Sequence, residues 1–422
     1  MRIFKFGGAS VKDAEGIRNL VRVLQHEGTQ DVLVVVSAMG KMTNAFEKIV
    51  DAYLTSPDLL KKAVSDVTDY HENIVKDLFE IQNPIFQEIQ LLLDQLQLLL
   101  IKNTSKDYNF IYDQVVCYGE LLSTKIVSAY LNKSGINNEW LDVRTIIKTD
   151  ANYRNANVYW KETLTNCKTK INSDVLQITQ GFISSNKQGQ STTLGREGSD
   201  FTAGILAYCL EAENVTIWKD VEGVLNADPR VFENTILLTE ISYQEAIEMS
   251  FYGASVIHPK TLKPLENKRI PLFVRSFLNT NKSGTKVGKG LGIYPKVPCF
   301  IVKKKQILVS ISTNDFSFMV EDNISEIFKL LHDFKLKVNL IQNSAISFSV
   351  CLEDGYQNFS EFYKKLHPNF KVKYNTNVSL FTVRHFDDDS IKDIQDKGDV
   401  LLQQTSRETV QLAIAEKNNY VS

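Results

Sequence analysis

Cysteine is scarce in this sequence of 422 residues, and its placement excludes the sites that clustered cysteines build. The 5 cysteines are odd in number, widely scattered and never in C-x-x-C spacing: Cys117, Cys167, Cys209, Cys299 and Cys351. This pattern predicts reduced thiols in a cytoplasmic protein, and argues against a disulfide framework. No second His, Cys or Glu stands at ligand spacing from His258. We therefore expect no metal site built by the protein.

The sequence also lacks an excess of charge of either sign and a long apolar run. Its formal net charge is −2, whereas nucleic-acid-binding domains usually carry a basic stripe. The one compact basic cluster, Lys303–Lys305, is predicted to be a solvated strand edge. The apolar stretch Leu91–Ile101 contains Asp94 and is too short to span a bilayer, and no apolar signal segment follows Met1. We expect neither nucleic-acid nor membrane partners.

Strands and helices alternate through the first 295 residues. The segments Arg2–Phe6, 31–37, Val175–Ser184 and Asn214–Lys219 have the apolar content of strands, and helical periodicity fills the intervals between them. This order predicts an α/β domain with a mostly parallel sheet. The segment Leu59–Lys102 is predicted to be a helical insertion; a coiled coil is the alternative, but no heptad pattern is sustained.

The pattern changes near Pro295, and the tail is predicted to fold separately. Residues 306–376 give the order βαββαβ, which is typical of ferredoxin-like modules. Residues 377–416 then give strand, helix, strand, strand, which is most of a second module. Because this second module lacks an outer strand, we expect it to borrow one from Lys303–Ser312. The predicted domains are therefore 1–295 and 300–422.

Two glycine-containing loops follow the first two strands. Lys5-Phe-Gly-Gly-Ala-Ser10 ends the first strand, and Ser37-Ala-Met-Gly40 with Thr43 ends the second. Open α/β sheets bind ligands beyond the carboxyl ends of their strands. Glycines allow a phosphate to approach the backbone, and Lys5 adds positive charge. The spacing is not that of a Walker A loop, and each motif alone is equally consistent with an ordinary strand-to-helix turn.

The stretch Thr192-Thr-Leu-Gly-Arg-Glu-Gly-Ser-Asp200 predicts an anion site at a helix N-terminus. Ser199 is the predicted N-cap of a helix that continues over Phe201–Leu210. The free N–H groups of a first turn attract anions. Arg196 is suited to hold a carboxylate or phosphate with two hydrogen bonds, and Asp200 to orient a lysine or a metal-bound phosphate. The alternative is a capped helix without a ligand.

Three further segments contain candidate residues of weaker specificity. Gly119-Glu120 is predicted to open a helix. Lys219 and Asp220 end a strand, and the following Asp-Pro-Arg230 turn would present its arginine to a polyphosphate, unless it is only a surface loop.

Together these segments resemble the aspartate kinases of the amino-acid kinase family. Lys5–Val11, Thr192–Asp200 and Phe251–Pro259 match in order and rough spacing, and the resemblance covers essentially the whole chain. It implies the amino-acid kinase fold, an αβα sandwich, followed by tandem ACT-like regulatory modules of which the second is abbreviated. It also implies transfer of the γ-phosphate of ATP to the β-carboxylate of L-aspartate. The product, 4-phospho-L-aspartate, begins lysine, threonine and methionine synthesis.

The same resemblance implies roles in phosphoryl transfer for several residues. Lys5 would stabilise the transferring phosphoryl group, and Asp200 would hold Lys5 in place. The residues implied to contact the nucleotide are Lys5, Gly7, Gly8, Lys219, Asp220 and Arg230. Mg²⁺ would be carried with ATP. Phosphoryl transfer needs positioning and charge neutralisation more than covalent catalysis.

The resemblance also implies an acceptor site. Glu120 would bind the ammonium group of the substrate and Arg196 its α-carboxylate. The residues that would sit beside the acceptor or shape its pocket are Ser37, Thr43, Phe182 and Ser199.

Several positions depart from the family pattern. Ala9 replaces a usual Thr, Glu197 a common Gly, Leu225 a Tyr and Ser255 a Lys. Lys260 or Lys219 would compensate for the last change. These departures affect the expected nucleotide affinity more than the expected reaction.

The tail departs at Asn339, where lysine-sensitive relatives place an Asp that holds the ammonium group of the effector. Losing that charge removes a charge-assisted hydrogen bond of about 1.5–3 kcal/mol. We therefore predict weak or absent inhibition by L-lysine, which a micromolar inhibition constant would contradict. Whether an amino-acid effector acts at all is left open by the sequence. ACT-type sheets commonly pair side by side, so a homodimer is expected.

Two alternatives remain beside an active aspartate kinase. A kinase for N-acetylglutamate or glutamate would share the fold, but an acylated amine would have no use for Glu120. A ligand-sensing subunit without catalysis would not require Lys5, Arg196 and Asp200, all of which are present.

Overall fold

The computed structural model describes residues 1–254, 257–315 and 317–415, which divide into two compact units. The first contains the described residues of 1–224, 237–247 and 256–295. The second contains those of 225–236, 248–255 and 296–422. Two segments from within the first 295 residues thus belong with the tail.

The first unit is built on an eight-stranded sheet. The strands up to residue 295 are β1 Arg2–Phe6, β2 Val32–Val36, β3 Asn138–Leu141, β4 Leu176–Gln180, β5 Ile183–Ser185, β6 Ser191–Thr193, β7 Asn214–Lys219, β8 Val224–Leu225, β9 Leu237–Leu238, β10 Glu240–Ser242, β11 Leu272–Ser276 and β12 Thr285–Gly288. The sheet order is β10-β12-β11-β7-β1-β2-β4-β3. Only the β11–β12 pair is antiparallel among these neighbours, which confirms the predicted mostly parallel sheet.

Helices cover this sheet because their apolar residues recur on one face. The helices up to residue 295 are α1 Ala14–Glu27, α2 Met42–Thr55, α3 Pro57–Leu78, α4 Ile85–Lys102, α5 Tyr108–Lys133, α6 Trp160–Lys170, α7 Gly198–Leu210, α8 Tyr243–Tyr252 and α9 Pro259–Lys268. In α1, Ile17, Leu20 and Leu24 are buried as the 3.6-residue period requires. The predicted helical insertion is confirmed as the two helices α3 and α4.

Three local predictions are wrong, one because of a close packing contact and two at left-handed backbone conformations. Gly119 does not open a helix but lies inside α5, where a Cβ atom would stand 3.1 Å from the Phe46 ring. The predicted strand Val175–Ser184 is divided into β4 and β5, because Phe182 has a positive φ of 71°. Ser199 is not the N-cap of α7: Glu197, with φ 53°, precedes its first residue.

The second unit contains a six-stranded antiparallel sheet and three helices after residue 295. These elements are β13 Cys299–Thr313, α10 Glu321–Asp333, β14 Lys337–Asn343, β15 Ser347–Glu353, α11 Phe359–Leu366, β16 Phe370–Arg384, α12 Asp388–Gln395, β17 Asp399–Thr405 and β18 Thr409–Ala415. The sheet order is β14-β15-β13-β16-β18-β17. The arrangement fits ACT-like modules and confirms the predicted βαββαβ order. The final strand was predicted to reach Glu416, which lies outside the described residues.

One long strand serves both modules, but the part of it that pairs within the second module, Cys299–Gln306, overlaps the predicted segment Lys303–Ser312 only at one end. The second half of β13 pairs with β15, and its first half pairs with the second half of β16. The strand β16 is likewise continuous where two strands were predicted. At Lys303–Lys305 the strand β13 has a register shift, and Lys305 has a positive φ of 57°. The pairs of β13 with β15 begin at Ile307, and Lys304 and Lys305 are exposed, which agrees with the predicted solvated strand edge.

The apolar interior of the first unit surrounds β1 and β2, whose residues Phe4, Phe6, Val34 and Val36 are fully or almost fully buried. None of the helices in the described residues is both long and apolar enough to cross a membrane.

Candidate active site

A cavity of about 410 Å³ opens in the first unit beyond the carboxyl ends of β1 and β2. Because the neighbouring strands are parallel, their following loops meet at one edge of the sheet. The lining residues are Lys5, Gly8, Ser37, Ala38, Gly40, Thr43, Tyr112, Glu120, Arg154, Phe182, Gly195, Arg196, Glu197, Gly198, Ser199 and Asp200. The predicted catalytic and acceptor-site residues are all among them.

Lys5 and Asp200 form a buried ion pair on the cavity wall. Lys5 Nζ lies 2.6 Å from Asp200 Oδ1, and both side chains are almost fully buried. Burial alone would raise the pKa of Asp200, but the charges of Lys5 and Lys219 outweigh it and hold that pKa below its ordinary value. A Cβ atom at Gly7 would stand 3.3 Å from Lys5 Nζ, so the Gly7 backbone adjoins the ammonium group.

The loops after β1 and β2 interlock through their glycines. A Cβ atom at Gly8 would lie 2.7 Å from the carbonyl oxygens of Ala38 and Gly40, so no larger residue fits. The Gly40 N–H donates to the Gly8 carbonyl at 2.9 Å. The two loops therefore form one backbone-lined surface beside Lys5, as a phosphate-binding site requires.

Glu120 presents a buried carboxylate to the cavity. It is 2% exposed, and its Oε2 has no hydrogen-bond partner among the described residues. Burial raises the pKa of Glu120 to about 8, although a hydrogen bond from the Ala38 backbone and the charge of Lys5 act in the opposite direction. Ser123, also on α5, donates to the Ser37 carbonyl at 2.7 Å and so fixes this helix against the loop after β2. A cationic group would satisfy Glu120.

Strained backbone occurs on the cavity wall that Arg196 shares. Three non-glycine residues with positive φ line the cavity: Arg154 at 67°, Phe182 at 71° and Glu197 at 53°. Such outliers cluster at ligand sites because the surrounding structure must enforce them. Glu197 Oε2 accepts a hydrogen bond of 2.9 Å from the His258 N–H. Within the described part of the chain, no hydrogen bond or ion pair occupies the exposed guanidinium of Arg196.

Not every predicted residue reaches the cavity wall. Lys219 is the last residue of β7 and Asp220 follows it, and the charge of Lys219 helps to lower the pKa of Asp200. Arg230 belongs to the second unit, is 82% exposed and pairs with Asp228 at 2.7 Å. Ser255 lies outside the described residues. Nucleotide contacts of Lys219, Asp220 and Arg230 stay predictions.

Three residues at the site are not among those predicted from the sequence: Tyr112, Asp113 and Arg154. Asp113 is fully buried and accepts hydrogen bonds from the Arg154 N–H, the Thr193 N–H and the Thr193 hydroxyl. Burial raises the pKa of Asp113 to about 6 despite these donors. Asp113 lies two helical turns before Glu120, and that spacing on one face of α5 is the signal that could have found it.

The donor set suits a polyanion better than a bare metal ion. Within the described residues, no group of three His, Cys, Asp or Glu side chains could hold a metal. The Asp200 carboxylate is already engaged by Lys5. The cavity instead offers cations, glycine backbone and one unpaired buried carboxylate, so a bound Mg²⁺ would take its ligands from the phosphates it accompanies.

Comparison with known proteins identifies similar sequences. The family model described as the amino acid kinase family matches residues 1–276. The lysine-sensitive aspartokinase 3 of Escherichia coli is 30% identical over 355 residues, covering 83% of this chain and 78% of that protein. The chloroplastic bifunctional aspartokinase/homoserine dehydrogenase 2 of Arabidopsis thaliana is 30% identical over 365 residues. The chain covers only 39% of that protein's length.

Solved structures show the same architecture. Aspartokinase III of E. coli in complex with lysine and aspartate superposes with a TM-score of 0.83 at 26% identity, covering 98% of this chain and 96% of that one. The same enzyme in complex with aspartate and ADP gives a TM-score of 0.80 at 25% identity, with the same coverage.

Proposed function

We propose that this chain is an aspartate kinase, because it belongs to the amino acid kinase family and, within that family, to the aspartokinases. It transfers the γ-phosphate of ATP to the β-carboxylate of L-aspartate, giving 4-phospho-L-aspartate and ADP. The E. coli relative solved with aspartate and ADP supports this choice of substrates.

The observation that carries the proposal is a pair of complementary groups in one cavity. Glu120 has a buried oxygen without a partner among the described residues, and Arg196 has a guanidinium without a polar contact there. An amino acid with free ammonium and α-carboxylate groups would satisfy both. An N-acylated acceptor would leave Glu120 buried and unpaired, which is costly.

The reaction requires charge neutralisation and alignment. A carboxylate oxygen of aspartate forms a bond to the γ-phosphorus, while the bond from that phosphorus to the β-phosphate oxygen breaks and ADP leaves. Lys5, fixed by Asp200 at 2.6 Å, would stabilise the charge that spreads over the phosphoryl oxygens. The acceptor carboxylate is ionised near neutral pH, so no general base is needed.

The remaining assignments are proposals of the same kind. Gly7 and Gly8 cradle the ATP phosphates, whose Mg²⁺ neutralises further charge, and Lys219, Asp220 and Arg230 contact the nucleotide. Ser37, Thr43, Phe182 and Ser199 shape the acceptor site.

We also propose a cytoplasmic location, an amino-acid effector acting on the ACT-like modules, and a homodimer that light scattering would test. The enzyme would serve lysine, threonine and methionine synthesis.

Turnover of ATP tests the proposal directly. Purified protein with Mg²⁺ and ATP is offered L-aspartate, N-acetyl-L-glutamate, L-glutamate or no acceptor, and hydroxylamine traps any acyl phosphate as a hydroxamate. We expect hydroxamate with L-aspartate only. Lys5→Ala should reduce it by roughly 10³-fold or more, because a charged transition-state contact is lost. Lys61→Ala, an exposed lysine on α3, is the matched control and should leave the rate unchanged.

Other results lead elsewhere. Hydroxamate with an N-acyl acceptor would favour the alternative kinases. Absence of product with every acceptor would favour a sensing subunit without catalysis.

A further inference from the structure

Arg154 is a second arginine on the wall of the cavity, beside Arg196, and it has no part in the reaction proposed above. It belongs to the loop between β3 and α6 and lines the same space as Arg196 and Thr43. Its side chain is 41% exposed, so a ligand in the cavity can reach the guanidinium.

The protein holds Arg154 in a costly conformation. Its φ is 67°, in the left-handed region that favours glycine. Its N–H donates to both oxygens of Asp113, at 3.0 and 3.2 Å. The buried carboxylate of Asp113 therefore stabilises a left-handed backbone conformation at Arg154, which residues other than glycine disfavour.

Contacts of the guanidinium also restrict its position. Its carbon lies 4.2 Å from the centre of the Tyr112 ring and 5.5 Å from that of Tyr108. Nη2 lies 3.2 Å from Glu47 Oε1. Stacking on aromatic faces orients an arginine without using all five of its N–H donors.

Arg154 lies near residues that the proposed function assigns to the acceptor. Glu47, its ion-pair partner, is one turn beyond Thr43 on α2. A Cβ atom at Gly195 would stand 3.3 Å from the Arg154 carbonyl oxygen, so the Arg154 backbone adjoins the residue before Arg196. The two arginines thus lie on adjoining segments of one wall.

We propose that Arg154 is a specificity-determining residue, which binds the α-carboxylate of the amino-acid acceptor together with Arg196. The inference rests on the proposed aspartate kinase function and extends it. The carboxylate joins or replaces Glu47 at the guanidinium, and two arginines share its two oxygens. An acceptor whose α-carboxylate is replaced by a neutral amide gains nothing from Arg154. If Arg154 did no more than pair with Glu47, a glycine, which the left-handed backbone at this position favours, would leave substrate binding unchanged.

The test compares L-aspartate with its α-amide, which retains the reacting β-carboxylate. Arg154→Gly removes the side chain and suits the left-handed backbone, so folding is preserved; a thermal melt checks this. We expect KM for L-aspartate to rise roughly 10- to 100-fold with little change in kcat. The kcat/KM for the α-amide should change by less than about threefold, and KM for ATP should not change. Arg154→Lys should recover only part of the loss, because an ammonium group lacks the planar pair of donors.

Arg269→Gly is the matched control, because Arg269 is an exposed arginine with φ 59° that does not line the cavity. It should leave all constants unchanged. Equal losses of Arg154→Gly on both acceptors would assign Arg154 a purely structural role, and no loss on L-aspartate would remove it from the site; either overturns the proposal. Absence of hydroxamate from L-aspartate with the unmutated protein would instead overturn the aspartate kinase function itself, and the present inference with it.

Discussion

At the scale of single residues, the cavity contains charged side chains that a bound ligand would pair. Glu120 is the clearest case, since burial raises its pKa to about 8 and leaves Oε2 without a partner among the described residues. The protonated form is neutral and binds an ammonium group poorly, whereas the ionised form attracts it. Binding of aspartate should therefore improve as the pH rises toward the pKa of Glu120.

We predict that kcat/KM for L-aspartate rises about tenfold per pH unit below a pKa of about 8 and levels above it. The substrate ammonium group keeps its proton over this range, so the rise reports the enzyme. The pH profile of Glu120→Gln should be low and flat between about pH 7 and 9, because the titrating group is absent. A coupled assay of ADP release measures both profiles. Parallel profiles for the two proteins would assign the titration to another group.

Site residues could be predicted from the sequence where they belong to a recognisable motif. Lys5, Arg196 and Asp200 belong to glycine-containing sequence motifs, and all three line the cavity. Arg154 stands in no such motif, and its relation to Asp113 depends on a contact between distant segments, the Arg154 N–H and the Asp113 carboxylate. Only the folded chain brings these segments together.

At the scale of elements, the start of α7 is positioned by the turn between β4 and β5. A Cβ atom at Gly181 would lie 2.5 Å from Ser199 Cβ and 2.8 Å from Ser199 Cα. The Phe182 N–H donates to the Thr202 hydroxyl at 2.9 Å, one turn further along α7. The turn and the helix therefore cannot move independently, and this coupling keeps Ser199 and Asp200 on the cavity wall.

We predict that Gly181→Ala lowers kcat/KM for aspartate by roughly 10²-fold, since displacing α7 moves Asp200 away from Lys5. Overpacking should also cost about 1–3 kcal/mol of unfolding free energy. Steady-state kinetics and urea unfolding measure the two effects. Gly292→Ala is the control, because a Cβ atom there meets no atom of the described residues within 4 Å. Wild-type kinetics in Gly181→Ala would mean that the turn does not position the helix.

Elements could be predicted from periodicity, but their limits depend on tertiary contacts. The helix α1 and the strand β7 follow their apolar patterns. Gly119 suggested a helix start, yet the glycine is needed because α2 approaches α5 closely at Phe46. The break at Phe182 and the continuity of β16 are likewise imposed by neighbouring elements and not by local propensity.

At the scale of the whole molecule, the chain contributes to its two units discontinuously. Residues 225–236 and 248–254 belong with the tail although catalytic-domain sequence surrounds them. In the second unit, Arg384 Nη1 approaches Glu248 Oε2 at 3.5 Å, and the rings of Phe232 and Phe300 are 5.2 Å apart. These contacts join residues far apart in sequence, so hydropathy and periodicity gave no sign of them.

Sensitivity to L-lysine also belongs to this scale, and the prediction about it concerns Asn339. Asn339 Oδ1 accepts from Lys303 Nζ at 2.8 Å, and Asn339 Nδ2 donates to Gln306 Oε1 at 2.7 Å. Both ends of the amide are therefore engaged inside the second unit, one of them by a lysine of the chain itself. A free lysine would have to displace the Lys303 ammonium group and would gain no carboxylate in return.

We predict that L-lysine inhibits weakly or not at all, and that Asn339→Asp alone does not create sensitivity, because Lys303 would neutralise the new carboxylate. Only the double variant Lys303→Met with Asn339→Asp offers an unpaired carboxylate, and its affinity for L-lysine should exceed that of the natural chain by roughly 10- to 150-fold. Calorimetry with L-lysine and inhibition of aspartate turnover measure this, with D-lysine as the control ligand. A micromolar inhibition constant for the natural chain would show that the lysine site does not depend on a carboxylate at position 339. Equal sensitivity of the single and double variants would show that Lys303 does not compete for that position.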